Sequence, residues 1–244
     1  MRRSTNKGVG RHLLLVLLLL VCGGLTRLGV WQLHRAAEKH TRFAAFVERH
    51  QAPAIDFDTT ASRTSLAETL WRKAHIRGHF LELYVLLDNR VLHGRPGYEV
   101  LTPFATHDGR VVLVDRGWIP LPSDRNTLPE VLAPSDPTTL TGYIGAEPTV
   151  GISLGKTAVE AEIMAPGLFR VQRVDLEGIR SLLHLPLSDR VIYLDADALG
   201  ALAVDWPVPG DGSARNRAYA VQWFTLAAVL AGIGFWNLYG RRRA

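Results

Sequence analysis

A single cysteine, Cys22, stands in 244 residues, so neither an internal disulfide nor a paired-cysteine zinc or redox site can form. No G-x-S-x-G, S-x-x-K or H-E-x-x-H pattern occurs, which leaves the serine and zinc hydrolase classes without a local signature. Glycine (22) and proline (13) are too few for a disordered chain, and 47% of the residues are hydrophobic. Charge of one sign is scarce outside the ends. The formal net charge is +5, but Arg2, Arg3, Lys7, Arg11, Arg241, Arg242 and Arg243 supply seven of the 28 basic residues. Residues 13–240 hold 21 basic against 23 acidic side chains. That balance excludes a nucleic-acid footprint.

What the sequence does have is two long apolar runs, each beside a basic end. Residues 13–26 (LLLVLLLLVCGGLT) continue past Arg27 to Trp31. If Arg27 extends to the headgroups, the span reaches Trp31, where an interfacial aromatic belongs. A cleaved signal peptide has the same anatomy, and Cys22 would serve a lipoprotein, although Val21 fills the preceding position where a small residue is expected. The uncleaved anchor is the reading adopted. Residues 219–239 (YAVQWFTLAAVLAGIGFWNLY) carry no charged side chain, and 21 residues at about 1.5 Å each cover a bilayer core. Tyr219, Trp223 and Phe224 crowd one end and Phe235, Trp236 and Tyr239 the other. Gly232 and Gly234 leave room for a second helix.

The basic flanks set the orientation: both termini in the cytoplasm, hence two spans. The expected architecture is an α+β membrane protein. Residues 1–12 form a cytoplasmic basic N-terminus, 13–31 a first transmembrane helix, and 32–217 a mainly antiparallel β extracytoplasmic domain with short helices. Residues 218–239 form a second transmembrane helix and 240–244 a cytoplasmic basic tail.

Within the outer region, apolar residues at helical spacing predict a helix over 32–50, ended by Pro53. The polar segment 51–68 reads as a surface connection. Strands are predicted at 72–81, 84–91, 98–105, 110–119, 138–145, 168–174 and 190–194, with a hairpin turn at His107-Asp108-Gly109. Four prolines make 121–137 irregular, 176–183 reads as a short helix, and 205–213 as a linker.

Candidate chemistry is sparse. Residues 151–157 (GISLGKT) imitate a phosphate loop but have one residue too few between the glycines, and a solvated turn is the better reading. His75 and His79 share a strand face without a carboxylate or thiolate partner, a poor metal signal. Arg116 and Trp118 alternate onto one face, which allows guanidinium–indole stacking. No residue is assigned a catalytic or metal-binding role.

Four motifs in order carry a family resemblance. They are Gly29, Trp31, Gln32 and Arg35 after the first span, and Gly97, Tyr98, Val100, Thr102, Pro103 and Phe104 on one strand. Val112, Leu113, Val114, Arg116, Gly117, Trp118 and Pro120 follow on the next strand, and residues 219–224 (YAVQWF) open the second span. Together they resemble the surfeit locus protein 1 family of cytochrome c oxidase assembly proteins. The resemblance implies a non-enzymatic assembly factor for a haem-copper oxidase in the bacterial inner membrane, assisting haem a insertion into subunit I. Its implied partners are the lipid bilayer, subunit I and the machinery that delivers haem a. The motif residues Trp31, Gln32, Arg35, Tyr98, Thr102, Pro103, Arg116, Gly117, Trp118, Tyr219, Gln222 and Trp223 are the expected partner-binding set. Many members place a histidine three residues before the tyrosine of the last motif. Here that residue is Asn216, which is not a usual axial ligand, so haem a is not assigned as a cofactor. The alternative is a membrane-anchored extracytoplasmic ligand-binding protein or enzyme of unknown substrate.

Overall fold

In the computed structural model, residues 6–61, 64–124, 127–148, 161–206 and 209–239 are described. The chain divides into two compact units, 1–46 with 209–244, and 47–208.

The first unit is built on two helices, α1 (Asn6–Gln51) and α4 (Ser213–Tyr239). Both contain a stretch apolar and long enough to cross a membrane. The expected span and the expected helix 32–50 are one continuous α1, because good helix formers run without proline until Pro53. The helices pair antiparallel: Leu18 lies by Gly234, Cys22 by Ala227, Gly29 by Phe224 and Gln32 by Asn216. The less exposed positions repeat every seven residues. Cys22, Gly29 and Ala36 form one row on α1, while Ser213, Ala220, Ala227 and Gly234 form the matching row on α4. All seven are small, so the backbones can approach closely. A Cβ on Gly29 would lie 2.6 Å from the Phe224 ring. Gly232, expected beside Gly234 to admit a partner helix, points outward instead.

Among the described residues, the second unit is a nine-stranded sheet with short helices. Its strands are β1 (Ile55–Asp56), β2 (Lys73–Phe80), β3 (Tyr84–Leu92), β4 (Arg95–Thr106), β5 (Val111–Pro120), β6 (Thr138–Gly145), β7 (Ala161–Ala165), β8 (Leu168–Val171) and β9 (Leu187–Leu194). Six of the pairings are antiparallel; β1–β2, β3–β8 and β5–β9 are parallel. Because β2 pairs with both β6 and β4, the strands β2-β6-β9-β5-β4 close into a ring. Alternation fills it: Ala74, Ile76, Phe80, Phe104, Val112, Val114, Leu140, Ile144, Ile192 and Leu194 pack together inside. The strands β3, β8 and β7 extend the sheet outward from β4.

On the other face, Val85, Leu87, Leu101, Leu113 and Val191 are covered by α3 (Leu176–Leu183) through Leu176, Ile179 and Leu183. Asp175 caps this helix by accepting the Glu177 N–H, and His184 ends it at φ 54°. Pro103 lies where β4 changes neighbour from β3 to β2. Its carbonyl accepts the Leu81 N–H, and proline, lacking an N–H, requires no acceptor at that corner.

Several expected boundaries move. The segment 51–68 is no mere surface connection: it holds β1, a π-helical turn (Phe57–Ala61) and α2 (Leu66–Thr69), and Phe57 is 1% exposed inside the core. β3 and β4 run on to a two-residue turn, His93-Gly94, with positive φ at both positions. β9 begins at Leu187 rather than 190, β8 stops at Val171, and β7 was not expected. The phosphate-loop imitation at 151–157 lies outside the described residues.

Candidate functional site

The motif residues fall into two groups, one in each unit. In the helix pair, Gln32 and Asn216 sit half-buried beside the small-residue rows, and Asn216 Nδ2 donates to Gln32 Oε1 at 2.7 Å. Lys39 Nζ donates to Asn216 Oδ1 at 2.8 Å. One turn away, Asp211 accepts the Ser213 N–H and lies 3.6 Å from His40 Nδ1, contacts that hold its carboxyl below the usual range. Trp223 is half-buried, whereas Trp31, Arg35, Tyr219 and Gln222 are exposed, with Arg35 donating to Glu38 at 2.8 Å. Both ends of the Asn216 amide are engaged in joining α1 to α4. The residues at this position therefore do not fit haem: a neutral amide is no axial ligand, and this one already has its partners.

In the β unit, the second and third motifs lie side by side on β4 and β5. Thr102 pairs with Val114 and Pro103 with Leu113, both fully covered. Tyr98 is 1% exposed, and its hydroxyl accepts from Arg170 at 3.4 Å. Between Glu99 and Leu101 the register shifts, leaving Arg116 and Gly117 as a bulge opposite them. Gly117 sits at φ +110°, and a Cβ there would come within 2.6 Å of the Ala203 carbonyl oxygen.

The bulge breaks the alternation on which the expected Arg116–Trp118 stacking depended. The Arg116 guanidinium instead lies over Phe80, 5.6 Å from its centroid. It donates to the carbonyls of Gly200 (2.7 Å), Val131 (2.6 Å) and Leu132 (3.0 Å). Only 2% exposed, Arg116 pins two irregular segments to β5. Desolvation lowers its pKa from the ordinary arginine value. Trp118 turns the other way: its N–H donates to Ala203 O at 2.7 Å and its indole N–H to Arg90 O at 3.3 Å.

Behind Trp118 lies a pair that the sequence reading missed. Asp115 is fully buried beside Glu99, itself 4% exposed and ion-paired with Arg90. Burial first, then the Glu99 carboxylate, raise the Asp115 pKa well above the usual carboxylate range. Asp115 Oδ1 accepts the Gly117 N–H at 3.2 Å, so the acid also braces the bulge. An acid directly after the apolar run VVLV of β5 was the available signal. The same surroundings raise the Tyr193 phenol, again with burial as the first cause. His75 and His79 lie exposed on the outward face of β2.

The sequence profile of the SURF1 family matches residues 19–228, which takes in the greater part of both helices and the entire sheet. The chain belongs to the SURF1 family. A SURF1-like protein of Rickettsia bellii is 28% identical over 226 residues, covering 89% of this chain and 86% of the relative. One from Mycobacterium bovis is 26% identical over 213 residues, covering 86% and 75%. Membership of the SURF1 family implies, in general terms, a link to cytochrome oxidase assembly, and with the two apolar helices it indicates a membrane protein.

Proposed function

We propose that this chain is a non-enzymatic, two-pass membrane assembly factor for a haem-copper cytochrome c oxidase, acting on subunit I around haem a insertion. In this reading residues 13–31 and 218–239 span the bacterial inner membrane, both termini are cytoplasmic, and residues 32–217 lie on the opposite side. The observation that carries it is the family match across residues 19–228, together with two apolar helices flanking one β unit. The exposed motif side chains Trp31, Arg35, Tyr219 and Gln222 are the proposed contacts with subunit I at the membrane surface. The half-buried Gln32 and Trp223 and the buried Tyr98, Thr102, Pro103, Arg116 and Gly117 hold the two units in shape. Haem a, if handled by this chain, is not ligated through Asn216.

Deletion of the gene is expected to lower the amount of assembled, haem a-containing oxidase, read from the reduced absorption spectrum of membranes. Unchanged oxidase content and spectrum would overturn the assembly role. A reporter fused after Ala244 is expected to be active only as a cytoplasmic one, and an extracytoplasmic signal would overturn the topology.

A further inference from the structure

One cavity of the β unit is not accounted for by the motifs' bracing role. It holds about 320 Å³ and opens between the β3–β4 hairpin and the segment that follows β9, lined by Arg90, Glu99, Trp118, Ala203, Asp205 and Trp206 among others. That volume is at the small end of ligand pockets, enough for one side chain or a small molecule. Two indoles supply its walls. Both indole N–H groups are already used, Trp118 on Arg90 O and Trp206 on Leu194 O at 2.8 Å, which leaves the ring faces as the available surface. Trp206 is held in place by an edge contact with Tyr193, centroids 5.0 Å apart.

The charges around the cavity are unequal. Arg90 is ion-paired with Glu99, so its positive charge is matched inside the wall. Asp115 is fully buried beside Glu99, and burial first, then the Glu99 carboxylate, raise its pKa, which disfavours a second negative charge behind the wall. Asp205 is exposed at the mouth and has no ion pair among the described residues. The sum is a pocket with aromatic faces and one uncompensated carboxylate. A negative aromatic face and a free carboxylate both attract a cation, and both repel an anion.

We propose that this pocket binds an organic cation, an ammonium or guanidinium group carried on a small apolar body. The group could come from a free small amine or from an arginine or lysine side chain of a partner polypeptide; the recognition chemistry is the same. The inference is independent of the oxidase reading, since it rests on the cavity alone.

The test is a titration of the purified full-length protein in non-ionic detergent, followed by tryptophan fluorescence and by calorimetry. The probes are benzyltrimethylammonium, N-acetyl-arginine amide and, as an anion of similar size, benzoate. Saturable binding of either cation without binding of benzoate is expected. Preference for the quaternary amine indicates a free small ligand, and preference for the arginine amide a presented side chain. Asp205→Asn and Trp206→Leu should each weaken the cation about fivefold or more, as loss of one such contact implies. Both positions are partly exposed, and an unchanged circular dichroism spectrum verifies folding. If Trp206→Leu disturbs the spectrum, Asp205→Asn alone decides the matter. No saturation by either cation, equal binding of benzoate, or an unchanged affinity in Asp205→Asn overturns the proposal.

Discussion

Asn216 donates its side-chain amide to Gln32 across 184 residues of sequence, at 2.7 Å, and so joins the two long helices beside a row of small residues. An interhelical polar bond of this kind contributes on the order of 0.6–2 kcal/mol. Asn216→Leu is therefore expected to lower the thermal midpoint of the detergent-solubilised protein and to reduce disulfide trapping between cysteines placed at positions 36 and 213 of the two small-residue rows. Trapping as efficient as in the parent would show that the small-residue rows hold the pair without this bond.

The rows themselves can be tested at Gly29. A methyl group there would press on the Phe224 ring, so Gly29→Ala should loosen the helix pair. Combining it with Phe224→Ala makes room again, and the double variant should recover part of the loss in a double-mutant cycle. Additive losses would place the two residues out of contact.

Arg116 presents a different balance, because its charge is buried against carbonyl dipoles and has no ion pair among the described residues. Each charge-assisted bond contributes about 1.5–3 kcal/mol, so Arg116→Met should destabilise the protein by about 3 kcal/mol or more and release residues 131–132 and 200 to protease. Arg116→Lys should recover little, since an ammonium cannot reach three diverging carbonyls. Limited proteolysis with denaturant titration measures both effects.

Gly117→Ala should also destabilise, by about 1–3 kcal/mol, through the strained φ and the collision with Ala203 O. A loss near zero would mean that the bulge can relax.

The buried acid gives stability an unusual slope with pH. Asp115 has a raised pKa in the fold, so the folded state holds its proton where the unfolded chain has released it. Its contribution is complete below the unfolded value near pH 4 and is lost as pH rises toward the folded value. Asp115→Asn keeps an oxygen for the Gly117 N–H and removes the titration. The variant should match the parent at about pH 4 and exceed it in unfolding midpoint at about pH 8. A difference that does not change with pH would show that Asp115 does not titrate in this range.

These residues also mark how much was legible beforehand. Period-two alternation is plain in the sequence of β2, where Ala74, Ile76 and Phe80 take turns with polar residues, whereas β5 shows itself as a continuous apolar run because both its faces are buried. The helix pairing was hidden for the opposite reason: in a run of leucines every face is apolar, so the row of Cys22, Gly29 and Ala36 shows only once burial is known. The stacking expected of Arg116 and Trp118 failed because one bulge reverses the face of every residue after it. Such a register shift leaves no mark beyond a glycine. β7 was missed because its five residues are half-buried or exposed and carry no alternation.

Closure of the five-stranded ring has a consequence for how the protein is made. β9 is the last strand of the chain to be synthesised, yet it lies between β6 and β5, so each of those strands keeps an open hydrogen-bonding edge until residue 194 has emerged. The β4–β5 hairpin can form early, but the barrel cannot seal during synthesis. The nascent chain therefore passes through a stage with exposed strand edges, when chaperone protection matters most.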